Sequence, residues 1–207
     1  MKKIILIVIL LFITINVKAY ENNIFSINVD EKYKLTLENK NAYRWTKDNN
    51  YIAISISDNS KLKYDVKNYT DEDIENQKKY FEEGINNGIS KYNITATINE
   101  VKKLNNNENY YLEYDIYYPS KKNIGYDMYQ KGRMYTTNKY IVTIIYSSDK
   151  SLEKNNEYEN ILNSLTIFDK NEVVKRNDNL IIYFLIIIGV VSGIIGAIIS
   201  TKKNANK

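Results

Sequence analysis

The sequence predicts an α+β domain, an antiparallel β-sheet covered by helices, held between an export signal and a membrane anchor. Three observations carry that reading. Apolar and polar residues alternate through most of the middle of the chain, which is the period of strands. One interruption, opening at Thr70, switches to the helical period. The segment Tyr140 to Tyr146 is apolar on both parities, so it belongs in the middle of a sheet covered on both sides.

Taken in order, Met1-Lys2-Lys3 is a positive start, Ile4 to Ile15 an apolar core, and Val17-Lys18-Ala19 a small-residue cleavage pattern before Tyr20. Together they predict a signal peptide over residues 1–19. Lys18 is unusual inside a cleavage region, so an uncleaved signal anchor is the alternative, with the same topology. Phe25, Ile27 and Val29, then Tyr33, Leu35 and Leu37, alternate around Asp30-Glu31-Lys32 and predict a hairpin. Tyr43, Trp45, Ile52, Ile54 and Ile56 continue the sheet. Thr70 and Asp73 form a capping-box pattern ahead of Ile74, Lys78, Phe81 and Ile85, one face of a helix that Gly88 can end.

Beyond that helix, Ala96 and Ile98 change parity to Val101 and Leu104, which predicts a bulge near Asn99-Glu100. Tyr110 to Tyr118 is the clearest strand: Tyr110, Leu112, Tyr114, Ile116 and Tyr118 share one face, and Tyr111, Glu113, Asp115 and Tyr117 the other. Pro119, the only proline, ends it. Tyr126 to Thr136 and Tyr140 to Tyr146 flank Thr137-Asn138-Lys139 as a second hairpin, and a helix from Ser151 to about Ser164 follows. Residues 20–168 thus form one extracytoplasmic domain, joined by a charged linker, 169–179, to the uncharged apolar run 180–200. At 1.5 Å rise per residue a helix of that length covers about 30 Å, the hydrocarbon thickness of a bilayer. Residues 201–207, with three lysines, are the expected cytoplasmic tail. The reading is a single-pass cell-membrane protein with its N-terminal domain outside. Lys170, Lys175 and Arg176 weaken the local charge asymmetry, so the signal sets orientation.

The net charge of +4 and pI near 8.8 suggest an anionic partner. Lys2, Lys3, Lys18, Lys202, Lys203 and Lys207 lie in the topogenic ends, and without them the exported part carries −2. Nucleic acid is therefore not an expected partner. The absence of cysteine rules out disulfides and thiolate chemistry, and the absence of histidine removes the commonest general base and His-ligated zinc. No cofactor, metal site or catalytic residue is assigned, and the protein is read as not an enzyme.

The order of a Phe25-Ser-Ile-Asn-Val29 hairpin, a strand, a mid-chain helix, Tyr-rich strands and a closing Tyr140-Ile-Val-Thr-Ile144 strand, leading to Ile161-Leu-Asn-Ser-Leu165, resembles the PsbP-like family over about Ile24 to Phe168. That family comprises a photosystem II accessory subunit and exported bacterial relatives. The resemblance implies an antiparallel sheet between helices and an accessory, non-enzymatic role. It carries over no functional residue, and the C-terminal membrane helix departs from the plant subunit.

Several motifs compete with structural explanations. Ser147-Ser-Asp-Lys150 and Ser57-Asp58-Asn59 match elements of penicillin-recognising enzymes, but in reversed order and at expected strand ends, so they read as turn residues. Asp71, Asp73, Glu75 and Glu82 have calcium-loop spacing, but Asn76 replaces the required glycine and the run falls in a helical pattern. Tyr111, Glu113, Asp115 and Tyr117 are the candidate interaction face, weighed against simple burial beneath a helix. In the apolar run, Gly189, Ser192, Gly193 and Gly196 form a small-residue stripe suited to association with a partner membrane helix or with a second copy. The leading function is an accessory or binding module of an envelope complex. The alternatives are a surface-anchored binder of cell-wall glycan or a small ligand, and a carboxylate-dependent hydrolase.

Overall fold

The computed structural model describes residues 17–90, 93–106, 109–120, 125–152 and 156–168. The strands are β1 (Val17–Glu21), β2 (Phe25–Asp30), β3 (Lys34–Glu38), β4 (Ala42–Lys47), β5 (Asn50–Asp58), β6 (Thr97–Asn105), β7 (Tyr110–Tyr118), β8 (Met128–Thr136), β9 (Tyr140–Ser148) and β10 (Thr166–Ile167). Helix α1 spans Asp71–Ile89 and helix α2 Glu157–Asn163. A seven-stranded antiparallel sheet runs β3-β4-β5-β9-β8-β7-β6, and a small sheet runs β1-β2-β10.

The centre of the large sheet is β9, the strand whose two apolar faces predicted that place. Ile141 and Ile145 enter one core with Phe81, Ile85 and Ile89 of α1, whereas Val142, Ile144 and Tyr146 enter another with Phe25, Ile27 and Val29 of β2 and Ile161 and Leu162 of α2. The molecule thus has three layers: α1 with a 3-10 turn at Val66–Asn68, the large sheet, and the small sheet with α2.

The capping box forms as its sequence predicts. The Asp73 amide donates to Thr70 Oγ1 at 3.2 Å, and the Thr70 amide donates to Asp73 Oδ2 at 2.9 Å. Gly88 does not end the helix, which runs one residue further to the fully buried Ile89. The calcium-loop acids lie on this helix and its capping box. The bulge falls between Ile98 and Glu100, and β7 has the predicted bounds.

Three further expectations are corrected. The residues around Asp30-Glu31-Lys32 make the turn, with the Tyr33 amide donating to the Asp30 carbonyl at 2.9 Å, but no hairpin: β2 pairs with β1 and β10, while β3 pairs with β4 in the other sheet. Alternation assigns a side chain to a face and leaves the partner strand open. The second helix is also shorter, beginning at Glu157 rather than Ser151, with Leu152 buried ahead of it. Strand β8 starts at Met128 rather than Tyr126.

Strand β1 straddles the expected cleavage point after Ala19. Tyr20 in it packs on Phe25, Tyr43 and Trp45 at ring separations of 5.8, 5.5 and 5.2 Å and donates its hydroxyl to Glu38 at 2.7 Å. Among the described residues no helix is long and apolar enough to cross a membrane. The run 180–200, with Gly189, Ser192, Gly193 and Gly196, lies outside them, as do the residues of the expected signal before Val17.

Candidate functional site

The strand register assembles the sequence-predicted face into rows. Leu104, Tyr111 and Tyr135 lie side by side across β6, β7 and β8; Lys102, Glu113 and Arg133 form the next row, and Glu100, Asp115 and Lys131 the next; Thr97, Tyr117 and Tyr129 close the face. Alternation along the strands places one side chain of each row on the same surface.

The structure divides the four predicted residues into two pairs. Tyr111 is 6% exposed, with the Tyr135 ring 5.0 Å away and the Arg133 guanidinium 4.9 Å from its centroid. Arg133 Nε donates to Glu113 Oε2 at 2.8 Å, its Nη1 donates to Asn163 Oδ1 at 2.7 Å, and Lys131 sits 3.3 Å from Glu113 Oε1. Both cations are therefore spent on a carboxylate whose side chain is 15% exposed, and Arg133 ties the sheet to α2. Charge-assisted bonds of this kind fix geometry, and this half of the face is the buried structural arrangement weighed above.

Asp115 and Tyr117 are half-buried. The Tyr117 and Tyr129 rings meet at 5.2 Å between centroids, tilted by 36°, and Lys131 lies 5.5 Å from the centroid of the Tyr158 ring. Burial raises the Asp115 carboxyl above the usual range; Lys131 and a hydrogen bond with Asn99 oppose the shift, and Glu100 and Glu113 add to it. Tyr117 is also raised, by desolvation first and then by Asp127. The accessible end is thus an aromatic pair flanked by acids, with a lysine beside it. Tyr129 and Lys131 join the site only through the β7–β8 register; their positions at odd parity in the Tyr-rich segment 126–136 were the available signal.

The carboxylate-hydrolase alternative asks for two acids facing across a cleft. Glu113 and Asp115 instead stand on one strand, with Glu113 held by two cations. Ser147 is buried in the sheet, away from any loop nucleophile geometry, while Asn59 is a structural staple: its Nδ2 donates to the carbonyls of Tyr64 and Thr137 at 2.8 and 2.6 Å, and its Oδ1 accepts from the Tyr64 amide at 2.9 Å. Among the described residues no group of three His, Cys, Asp or Glu side chains is placed to hold a metal.

A second polar group, unforeseen from the sequence, lies on the opposite face of the sheet. Tyr51, Ser147 and Gln130 are neighbours across β5, β9 and β8. The Tyr118 hydroxyl donates to Gln130 Oε1 at 3.1 Å, and Gln130 Nε2 donates to the Tyr51 hydroxyl. Tyr114 lies over Gly132, where a Cβ would run into its ring. A lone glycine inside a strand pattern is the sequence signal for such close approach.

The large sheet between a long helix and a small sheet with a short helix is the PsbP-like fold. The solution structure of cyanobacterial PsbP (CyanoP) from Synechocystis sp. PCC 6803 is similar with a TM-score of 0.57, over 74% of this chain and 94% of that one, at 9% sequence identity. A crystal structure from Bacteroides thetaiotaomicron VPI-5482 matches over 75% of this chain and 47% of that one, with 10% identity and a TM-score of 0.40. No protein-family model matches the chain, and no curated protein matches it in sequence. At these identities the likeness to PsbP is one of fold.

Proposed function

We propose that the chain is a membrane-anchored, extracytoplasmic accessory or binding module of an envelope complex, non-enzymatic, with its contact face at the open end of β7 and β8. The observation that carries this reading is the half-buried Tyr117–Tyr129 pair. It stands on a rigid sheet beside Asp115 and Lys131, next to the Arg133–Glu113 bracket that holds the strands in place. Tyrosine offers a large contact area with few rotatable bonds, which suits an interface. The likeness in fold to a PsbP supports an accessory role, and the apolar run 180–200 supports an anchor with the association stripe Gly189, Ser192, Gly193 and Gly196.

The test is affinity purification of tagged full-length protein from detergent-solubilised membranes. A stoichiometric partner is expected with the native chain. Its loss on Tyr117→Ala/Tyr129→Ala places the contact on the sheet, and its loss on Gly189→Ile/Gly193→Ile places it in the anchor. Recovery of the chain alone contradicts the complex. A second reading, a glycan binder, is favoured by the acids Asp115 and Asp127 flanking the paired rings; retention on isolated cell wall, lost with the tyrosine pair, would support it.

A further inference from the structure

The open end of the large sheet carries a charge conflict. Glu100 of β6 lies directly opposite Asp115 of β7, in the row that Lys131 of β8 completes. Like charges directly opposite one another on one sheet face work against the pairing of their strands. The cations of this face bond other acids: Lys102 pairs with Glu100 at 2.7 Å, while Arg133 and Lys131 both hold Glu113, at 2.8 and 3.3 Å. The Lys131 ammonium also lies 5.5 Å from the Tyr158 ring centroid, on the side of α2. Among the described residues none forms an ion pair with Asp115. A hydrogen bond with Asn99 and the field of Lys131 do not offset the burial of its carboxyl.

This end of the sheet is also uncovered. Within β6 and β7, the core shared with the small sheet takes in Tyr111 and reaches Leu104, and among the described residues it goes no further along those strands. Helix α2 extends the cover by two side chains, Asn163 on Arg133 and Tyr158 over Lys131. Beyond it Glu100 is exposed, and Asp115, Tyr117 and Tyr129 are half-buried, with the two rings 5.2 Å apart in the row beside Asp115. Two carboxylates thus border two aromatic rings on an open, sheet-borne surface. A partner that covered it without bringing a cation would bury an acid lacking a counter-charge, which is costly. A local conflict of this kind, kept against the stability of the fold, marks a functional surface.

We infer that this end of β6, β7 and β8 receives an arginine side chain of a partner protein, whose guanidinium donates to Asp115 and Glu100 and lies against the Tyr117 ring. The inference rests on the contact face proposed above and names the chemistry that face selects. A guanidinium is planar, stays charged, donates from five N–H groups and stacks on aromatic faces, so one side chain meets both the acids and the rings. A lysine ammonium, compact and strongly hydrated, matches a flat ring and two carboxylates less well. Glu100 can exchange Lys102 for the guanidinium, because both members of that pair are exposed and such pairs are weak.

The test is nuclear magnetic resonance of full-length protein in detergent micelles, carbon-13 labelled in its tyrosine rings, with Tyr117→Phe and Tyr129→Phe assigning the two signals. The probe is the blocked tripeptide acetyl-Gly-Arg-Gly-amide; the control carries citrulline, an uncharged isostere, in place of arginine, at matched ionic strength. The arginine peptide is expected to shift the Tyr117 and Tyr129 signals saturably, and the citrulline peptide to bind at least tenfold more weakly. Glu100→Gln/Asp115→Asn should weaken the arginine peptide at least tenfold, with unchanged signals from the buried tyrosines showing that the variant is folded. No saturable shift with the arginine peptide overturns the inference, as does equal affinity for citrulline or undiminished affinity in the folded double variant. If that variant still retains a membrane partner that Tyr117→Ala/Tyr129→Ala loses, the contact face stands and the arginine does not.

Discussion

Replacing Gly132 by alanine is the sharpest test of the sheet that supports both polar groups. Gly132 is opposite Tyr114 in the β7–β8 register, and the Tyr114 ring crosses directly over it. A Cβ at 132 would fall far inside van der Waals distance of the Cε2, Cζ and hydroxyl atoms of that ring. The ring has nowhere to move: it is 1% exposed and held edge-on by Phe81 of α1 at 5.9 Å. Overpacking of a close-packed core costs about 1–3 kcal/mol, and displacement of a whole aromatic ring belongs at the upper end, so Gly132→Ala should lose about 3 kcal/mol. Urea unfolding followed by tyrosine and tryptophan fluorescence measures the loss. The double variant Gly132→Ala/Tyr114→Leu should be less destabilised than the sum of its singles, because leucine vacates the space above residue 132. A loss below about 0.5 kcal/mol for Gly132→Ala, or strict additivity in the cycle, refutes the placement of Tyr114 over the glycine.

Other consequences follow from the same structure. Arg133→Met strands the Glu113 carboxylate with Lys131 alone and releases Asn163, which should cost about 2–4 kcal/mol by urea unfolding, partly restored when Glu113→Gln is added. Asp115 has a carboxyl pKa raised by burial, so the native state holds its proton more tightly than the unfolded chain; its ionised form opposes folding at neutral pH, and that opposition fades as the pH falls through the raised pKa toward the unfolded value near 3.9. Asp115→Asn should therefore stabilise the protein at pH 7, with the advantage over the native chain shrinking on acidification in melts from pH 7 to pH 4. A chain beginning at Tyr20 loses the pairing of Val17, Lys18 and Ala19 with Asp30, Val29 and Asn28, about 1–3 kcal/mol; its melting temperature should fall below that of a chain beginning at Val17, and equal values would exclude β1 as a working strand.

Facing was legible in the sequence wherever the period was long and sharply ended. Tyr110 to Tyr118 alternates without a break into Pro119, and its bounds and buried parity are as read. Ile141, Thr143 and Ile145, opposite Val142 and Ile144, gave β9 its place at the centre of the sheet because an isolated sheet face does not carry a second apolar row. Pairing was less legible. The turn at Asp30 forms, yet the chain leaves one sheet there and enters another, a choice made by the aromatic packing of Tyr20, Phe25, Tyr43 and Trp45 between the layers rather than by local residues. Val17 and Ala19 satisfy a cleavage pattern and a strand equally well, since both ask for small or apolar residues in extended backbone. The Tyr51, Gln130 and Ser147 group was hidden for another reason: its members are far apart in sequence and meet only through the β5-β9-β8 order. For the interaction face, residue types pointed to Tyr111, Glu113, Asp115 and Tyr117 together, but only the positions of Arg133 and α2 separate the bracket from the accessible end.

The central claim, a binding module that meets its partner through the open end of β7 and β8, is tested most directly by cross-linking in place. A photoreactive amino acid is introduced at position 117 or 129 of the full-length chain in its host membrane, with exposed Leu35 on the far edge strand as control. The account predicts one discrete protein adduct from positions 117 and 129 and none from 35. Adducts of equal yield from all three positions, or none from 117 and 129 while the protein is folded and present in the membrane, would contradict it.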